Sequence, residues 1–316
     1  RKRALIVGIN YSSVMKPSSG ALNGCVNDAM MIAYLLKKNF GFTDRDISLL
    51  ADEKPAAPTV AVAGPPTRQN IITGMRHLVS GVGPGDSLFF HFSGHGAQQR
   101  DTDGDEDDGL DETILPLDYK SKGVIVDDEI YEILVRTLPA GVRLTAVMDC
   151  CHSGTGMDLA YTHHVEDGTG RGQTMRVVPG EASTRGVESN DRFIPILLVA
   201  GTIMAGHAAS SSSNKKYKKK KAVRKKPDPV ADVFCFSGCA DNQTSADTNA
   251  LAGNATTGAM TYSFIEAIEK GGHDWHSFTY RSFLIAIRKK MKEKRFKQTP
   301  QLSSGRPLNL DTPFRI

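Results

Sequence analysis

The sequence predicts an α/β fold with a mostly parallel central sheet flanked by helices on both faces. Three observations predict it. Short apolar runs alternate with helical patterns, as crossover units require. The run Ser87 to Phe92 is apolar almost throughout, as in a strand buried on both faces. The chain has 316 residues, of which 40% are hydrophobic and 23% charged, enough for a sizeable core.

The elements follow in order. Ala4-Leu5-Ile6-Val7-Gly8 reads as a buried strand ending in a glycine turn. The turn signal Asn23-Gly24 precedes a helical pattern from Val26 to Phe40, with Met30, Met31, Ala33, Leu35 and Leu36 apolar. Asp46 to Leu50 is a second strand. Thr67 is an N-cap for a helix reaching Ser80, since its hydroxyl can accept an orphan backbone N–H. After the Ser87–Phe92 strand, Val124 to Val126 belongs to a hairpin, and Asp127 caps a helix running to Thr137. Arg143 to Met148 is a fourth strand. The pattern resumes with a strand at Val233–Phe236, a helix at Ala259–Lys270 and an amphipathic helix with a basic outer face at Phe278–Lys294. A last strand is expected near Pro307 to Leu310.

The expected organisation is one composite domain with a large part (1–167), a linker (168–229) and a small part (230–316). The linker holds Ser210 to Ser213 and then a lysine run, a composition that cannot bury a core. The chain opens at Arg1 without Met, so an upstream segment is expected. Phe193 to Ala209 is apolar but short, and it carries Pro195, glycines and His207, so no membrane span is expected.

Five cysteines, Cys25, Cys150, Cys151, Cys235 and Cys239, are an odd number without framework spacing, which excludes a disulfide scaffold. Reduced thiols fit a cytoplasmic protein. Residues 214–226 hold nine Lys or Arg and no acid; subtracting them from the net +4 leaves −5 for the remainder. Asp101 to Glu112 holds eight acids and no base. Charge is thus segregated, and a uniformly basic nucleic-acid binder is excluded.

Open parallel sheets bind ligands beyond the carboxyl ends of their strands. Two segments carry reactive side chains there: His91-Phe92-Ser93-Gly94-His95-Gly96 and Asp149-Cys150-Cys151-His152-Ser153-Gly154. Each follows a buried strand and turns on small residues. A thiol near an imidazole gives up its proton to become a nucleophile, and the imidazolium then protonates the leaving amine. His95 is the base, and the backbone N–H groups of Gly96 and Cys151 are assigned to the oxyanion hole. Spacing alone does not choose between Cys150 and Cys151.

These motifs resemble the His and Cys motifs of type I metacaspases. The resemblance extends through Arg3 to Tyr11, through Asp241 to Asp247 and through Pro300 to Ser304. It implies a caspase-like fold with large and small catalytic parts and a thiol endopeptidase activity. The nucleophile is then the Cys immediately before His-Ser-Gly, which selects Cys151. It also implies cleavage after Arg or Lys, with Asp28 and Asp149 in an acidic first pocket lined by Cys25 and Ser93. A carboxylate pair can hold a guanidinium bidentately or an ammonium as a point charge. Asp28 read alone is equally a partner of a helix dipole.

The resemblance further implies calcium (Ca2+) as activator, with Asp111, Asp127, Asp128 and Asp158 as ligands. Residues Asp101 to Glu112 only look like an EF-hand loop, because Glu106 stands where that loop needs Gly. An enzyme cutting after Lys is expected to cut its own linker, with Lys215, Lys216, Lys218, Lys219, Lys220 and Lys221 as candidates. The same run reads alternatively as a solvated spacer or a nuclear-localisation patch. The partners expected are protein or peptide substrates with Arg or Lys at P1, with no stable nucleic acid and no membrane. A monomer in the cytoplasm, with access to the nucleus, and a regulatory Pro-rich leader complete the expectation. The rivals are a calcium-binding scaffold of the same fold without proteolysis, and a zinc site from Cys150, Cys151, His152, His163 and His164. Adjacent cysteines and a missing C-x-x-C spacing argue against the latter.

Overall fold

The computed structural model describes residues 1–16, 20–55, 58–100, 110–150, 156–165, 172–176, 228–238, 247–252, 255–270, 275–296 and 298–316. The first strand, β1 (Lys2–Gly8), shows how the sheet is buried. Side chains alternate across a strand. Ala4 and Ile6 enter one apolar core and Leu5 and Val7 a second, so both faces are covered.

Among the described residues nine strands form one sheet. They are β10 (Gly172–Arg176), β9 (Tyr161–Val165), β14 (Gln301–Ser304), β11 (Asp232–Ser237), β8 (Arg143–Asp149), β4 (Ser87–Ser93), β1, β2 (Ile47–Ala51) and β3 (Val62–Gly64), in that spatial order. From β11 to β3 neighbours run parallel; β14, β9 and β10 extend the sheet antiparallel. Helices α1 (Cys25–Phe40), α5 (Ala259–Lys270) and α6 (Tyr280–Glu293) fill one core, and α2 (Arg68–Val79) and α4 (Asp127–Leu134) the other. A small sheet of β5 (Gly96–Arg100), β6 (Leu110–Ile114) and β7 (Ile125–Val126) stands beside the second core. The short helix α3 (Tyr119–Lys122) follows β6, and β12 (Asp247–Ala252) pairs with β13 (Ala255–Gly258).

The helices begin and end for local reasons. Thr67 Oγ1 accepts the N–H of Asn70, capping α2 as its sequence predicts. A cap of this kind contributes about 1 kcal/mol. Gly41 ends α1 in the left-handed region, at φ 66°. Helix α6 buries Tyr280, Phe283, Leu284, Ile287 and Met291, a stripe at helical spacing, and leaves Lys289 and Lys292 outward.

Three expectations are corrected. Asp127 is the first helical residue of α4, not its cap, and the helix stops at Leu134 rather than Thr137. The Asp127 carboxylate instead accepts N–H groups from Glu112 (3.3 Å) and Asp128 (2.9 Å). Pro307 to Leu310 is not a strand. Proline has no N–H for a ladder, and the carbonyls of Leu310 and Thr312 accept from Arg281 and Tyr280, satisfying the first turn of α6. The last strand is β14, between β11 and β9; its buried Ser303 and Ser304 break the apolar pattern that marks central strands. Within the 168–229 linker, Gly172–Arg176 is a strand paired with β9. The lysine run and residues 193–209 lie outside the described residues. Among the described residues no helix is long and apolar enough to cross a membrane.

Candidate active site

Register sets the strand ends that precede the two motifs side by side. β1, β4 and β8 are parallel neighbours, and their last residues are in step: Gly8 opposite Ser93, and Ser93 opposite Asp149. Strand order reverses here, because β1 is flanked by β2 on one side and β4 on the other. Such a reversal opens the crevice in which α/β sheets bind ligands. Strands β4 and β8 lie about 4.8 Å apart and end on the matched pair Ser93/Asp149, with His95 following two residues after Ser93. The strand ends stay tied one residue further on, with Gly94 N–H donating to the Asp149 carbonyl at 3.3 Å. Cys151 itself, with 152–155, lies outside the described residues.

The imidazole of His95 is oriented by its contacts. Its Nε2 lies 2.5 Å from the carbonyl oxygen of Gly20. A carbonyl only accepts, so Nε2 carries the hydrogen and the basic nitrogen is Nδ1. The ring packs against Tyr11, with centroids 4.7 Å apart and planes at 37°. Gly96, whose N–H is assigned to the oxyanion hole, begins β5 opposite Ile114.

The neighbouring thiol is placed differently. Cys150 is buried beside Met148 in the second core. Cys25, Cys150 and Cys235 are buried and carry no disulfide. Burial pushes the Cys235 thiol up to about 12, so it stays protonated and inert.

The acids expected in the first pocket sit on this edge. Asp28, in the first turn of α1, is fully buried. Its carboxylate accepts the Ser93 hydroxyl at 2.7 Å and the Gly258 N–H at 3.0 Å to each oxygen. Asp149 accepts the N–H of Thr261 at 2.7 Å, in the first turn of α5. Gly258 sits between the two carboxylates, and a Cβ there would overlap that of Asp149. Cys25 opens α1, its N–H donating to Asn10 Oδ1 at 3.0 Å. These donors are backbone N–H and hydroxyl groups, which satisfy buried carboxylate oxygens.

The four acids expected to bind calcium lie elsewhere. β6 and β7 pair Thr113 with Val126, which brings Asp111, Asp127 and Asp128 to one junction. Asp111 accepts from Gln99 at 3.2 Å. Asp158 has left-handed backbone, φ 46°. Oxygen donors suit a hard cation, but among the described residues no three His, Cys, Asp or Glu side chains are gathered as a metal ion requires. In this arrangement the four do not form a ligand set. His163, weighed for zinc, is buried with Nε2 2.7 Å from Ser304 Oγ.

Sequence reasoning missed five residues of this edge. Gly258 and Thr261 act through backbone N–H groups, which no side-chain pattern reveals. Asn10 holds the start of α1, Tyr11 underlies His95, and Asp52 binds the N–H groups of both Asn10 (2.9 Å) and Tyr11 (2.7 Å). The available signal was the polar pair Asn10-Tyr11 directly after a buried strand.

Comparison with known proteins agrees with this geometry. The family model described as the metacaspase, peptidase C14 domain matches residues 2–160. A Metacaspase-1 of Cryptococcus neoformans is 41% identical over 314 residues, covering 99% of this chain and 64% of the relative. Metacaspase-2 of Arabidopsis thaliana is 40% identical over 296 residues, covering 93% of this chain and 57% of that protein. This chain therefore spans less than two thirds of the length of either. A crystal structure of a protein from Geobacter sulfurreducens superposes with a TM-score of 0.59 at 25% identity, covering 100% of this chain and 97% of that one. With the motif order, the register of β4 against β8 and a family match over half its length, the chain belongs to the metacaspase family of caspase-like cysteine peptidases.

Proposed function

We propose that this chain is a cysteine endopeptidase that cleaves peptide bonds after Arg or Lys, with Cys151 as nucleophile and His95 as base. The observation that supports the reading is the register of Ser93 with Asp149 on adjacent strands, the residues that precede His95 and Cys151 by two in the sequence. His95 Nδ1 takes the thiol proton, and the thiolate forms a bond to the scissile carbonyl carbon. The oxyanion is held by the N–H groups of Gly96 and Cys151. The C–N bond breaks as the imidazolium returns its proton to the leaving amine, giving a thioester. Water, deprotonated by His95, then hydrolyses that thioester and frees the thiol.

Preference for basic residues is supported by the buried carboxylates of Asp28 and Asp149 on the same edge. Activation by calcium through Asp111, Asp127, Asp128 and Asp158 is supported by the family and by the β6–α4 junction; it requires these acids to move closer together. Self-processing after the lysines of 215–221 is supported by their composition, as are a cytoplasmic or nuclear location and a monomeric state by the family.

The test is hydrolysis of peptide reporters ending in Arg, Lys or Asp, with calcium and with chelator. The expected result is cleavage after Arg and Lys only, dependent on calcium, and abolished in Cys151→Ala. Fragment sizing of the chain alone should show calcium-induced cleavage that Cys151→Ala lacks. Hydrolysis unchanged by chelator would remove calcium from the reading. A chain inert to all reporters, yet binding calcium, would be a scaffold.

A further inference from the structure

The β5–β6 ladder does not close where its register says it should. Gly96 pairs with Ile114, so the next pair outward is His95 with Leu115. One bond of that pair forms directly: Leu115 N–H donates to the His95 carbonyl at 3.0 Å. Its reciprocal does not. The phenol of Tyr11 is inserted instead, accepting the His95 N–H at 3.0 Å and donating to the Leu115 carbonyl at 2.5 Å. A hydroxyl can do both at once. The ladder is thereby wedged open by the width of one oxygen atom at the residue that carries the base.

Tyr11 is itself held in an unusual state. It is fully buried, and its φ of 60° is left-handed, a conformation that costs a bulky residue ~1–2 kcal/mol. The restraint comes from Asp52, after β2, whose two oxygens accept the N–H groups of Asn10 (2.9 Å) and Tyr11 (2.7 Å). Burial raises the Asp52 carboxyl above its ordinary range, while those N–H groups pull it back. Burial also raises the Tyr11 phenol, so it remains a donor at neutral pH. The titratable groups facing that phenol are His95, Cys25, Cys150 and Asp52. The same turn reaches the other side of the crevice, because Asn10 Oδ1 accepts the first N–H groups of α1, Cys25 (3.0 Å) and Val26 (3.3 Å).

We propose that Tyr11 is a positioning residue for His95, wedging the ladder open to set where the imidazole stands, and that Asp52 clamps Tyr11 in place. The inference rests on the Cys151–His95 reading. In Tyr11→Phe the ring stays but the wedge oxygen is gone. The ladder then closes directly or leaves two groups unpaired, and either way the imidazole shifts. A displacement on the order of 1 Å costs up to about a hundredfold in rate.

The experiment measures pH–rate profiles of the full chain, with calcium, on whichever of the Arg, Lys or Asp reporters the wild type cleaves fastest. Wild type, Tyr11→Phe, Asp52→Asn and His95→Ala are compared, with thermal melts alongside. In a thiolate–imidazolium pair each charge lowers or raises the partner's pKa, so loosening the pair narrows the bell from both sides. Tyr11→Phe should lower kcat about tenfold or more, leave KM within about twofold and narrow the bell. Asp52→Asn should do the same to a smaller degree. An inactive His95→Ala beside a Tyr11→Phe and Asp52→Asn of wild-type kcat and bell width overturns this inference alone. So does activity lost only in proportion to folded protein, with the bell unmoved. An active His95→Ala, or a wild type that cleaves no reporter, overturns the dyad reading and this inference with it.

Discussion

Two groups of buried aspartates can be compared in this molecule. Asp28 and Asp149 are 0% and 4% exposed, and Asp111 and Asp127 are 4% and 2%. Burial is therefore equal, and the difference lies in what holds them. Asp28, on α1, is bonded to Ser93, on β4, and to Gly258, which is 230 residues away. Asp149 is bonded to Thr261, 112 residues away. Asp127 is bonded to its immediate neighbour and to Glu112, 15 residues away. The first group is locked by contacts that exist only once α1, β4, β8, β13 and α5 are assembled. The Asp127 bonds close within the short β6–β7–α4 segment. A fixed carboxylate pair suits a specificity pocket, and an adjustable set suits a site that must close on something.

Breaking the first group should have the largest effect. Asp28→Asn keeps the shape and removes a buried charge, so kcat/KM on Arg reporters should fall about a thousandfold, ~4 kcal/mol. An unaffected rate would place the pocket elsewhere. Gly258→Ala puts a Cβ into the Asp149 carboxylate and separates the two acids. A loss of about a hundredfold on the same reporters is expected, and wild-type kinetics would show that the Gly258 link carries nothing.

A pH measurement sharpens the comparison from below the pocket. His91 Nε2 lies 3.1 Å from Thr261 Oγ1, beneath the Asp149 anchor, and burial lowers its pKa to about 3 from 6.5. The unfolded chain takes up this proton first. Stability from the neutral imidazole is complete above about pH 6.5 and is lost as pH falls toward about 3, at up to ~1.4 kcal/mol per pH unit. Between about pH 6 and 4.5 the wild type should lose ~2 kcal/mol more than His91→Leu in urea titrations; parallel curves would contradict this. The smallest effect belongs to the local turn. Asp127→Asn exchanges one acceptor for a donor and should cost only ~1 kcal/mol of stability, read from the same titrations. A stability loss of ~3 kcal/mol or more, as for a buried group locked by the assembled fold, would erase the distinction drawn between the groups.

The legible parts of this molecule are those written in side-chain periodicity. The parallel strands β1, β2, β4, β8 and β11 and the helices α1, α2, α5 and α6 announce themselves by apolar spacing, and the Thr67 cap by its hydroxyl; β3, half-exposed in its short Val62–Gly64 run, does not. The illegible parts are written in backbone groups and distant contacts. β14 is a central strand whose buried Ser303 and Ser304 imitate a loop, while Pro307 to Leu310 imitates a strand and instead caps α6. Asp28 read alone is equally a helix-dipole partner; its bonds to Ser93 and Gly258 exist only in the assembled fold. Tyr11 ends a stretch that resembles the family, yet its part in the ladder is illegible there, since it lies in a bond that the tyrosine interrupts.

The central proposal is that His95 works with Cys151, while Cys150 is buried in the core. Limited alkylation with iodoacetamide at about pH 6, followed by peptide mapping, tests it directly. At that pH an ordinary thiol is almost wholly protonated, and only one paired with an imidazole reacts quickly. Rapid labelling of Cys151 alone is predicted in the wild type, lost in His95→Ala, with Cys150, Cys25 and Cys235 unlabelled in both. Labelling of Cys150 in place of Cys151, or a Cys151 rate indifferent to His95→Ala, would contradict the account.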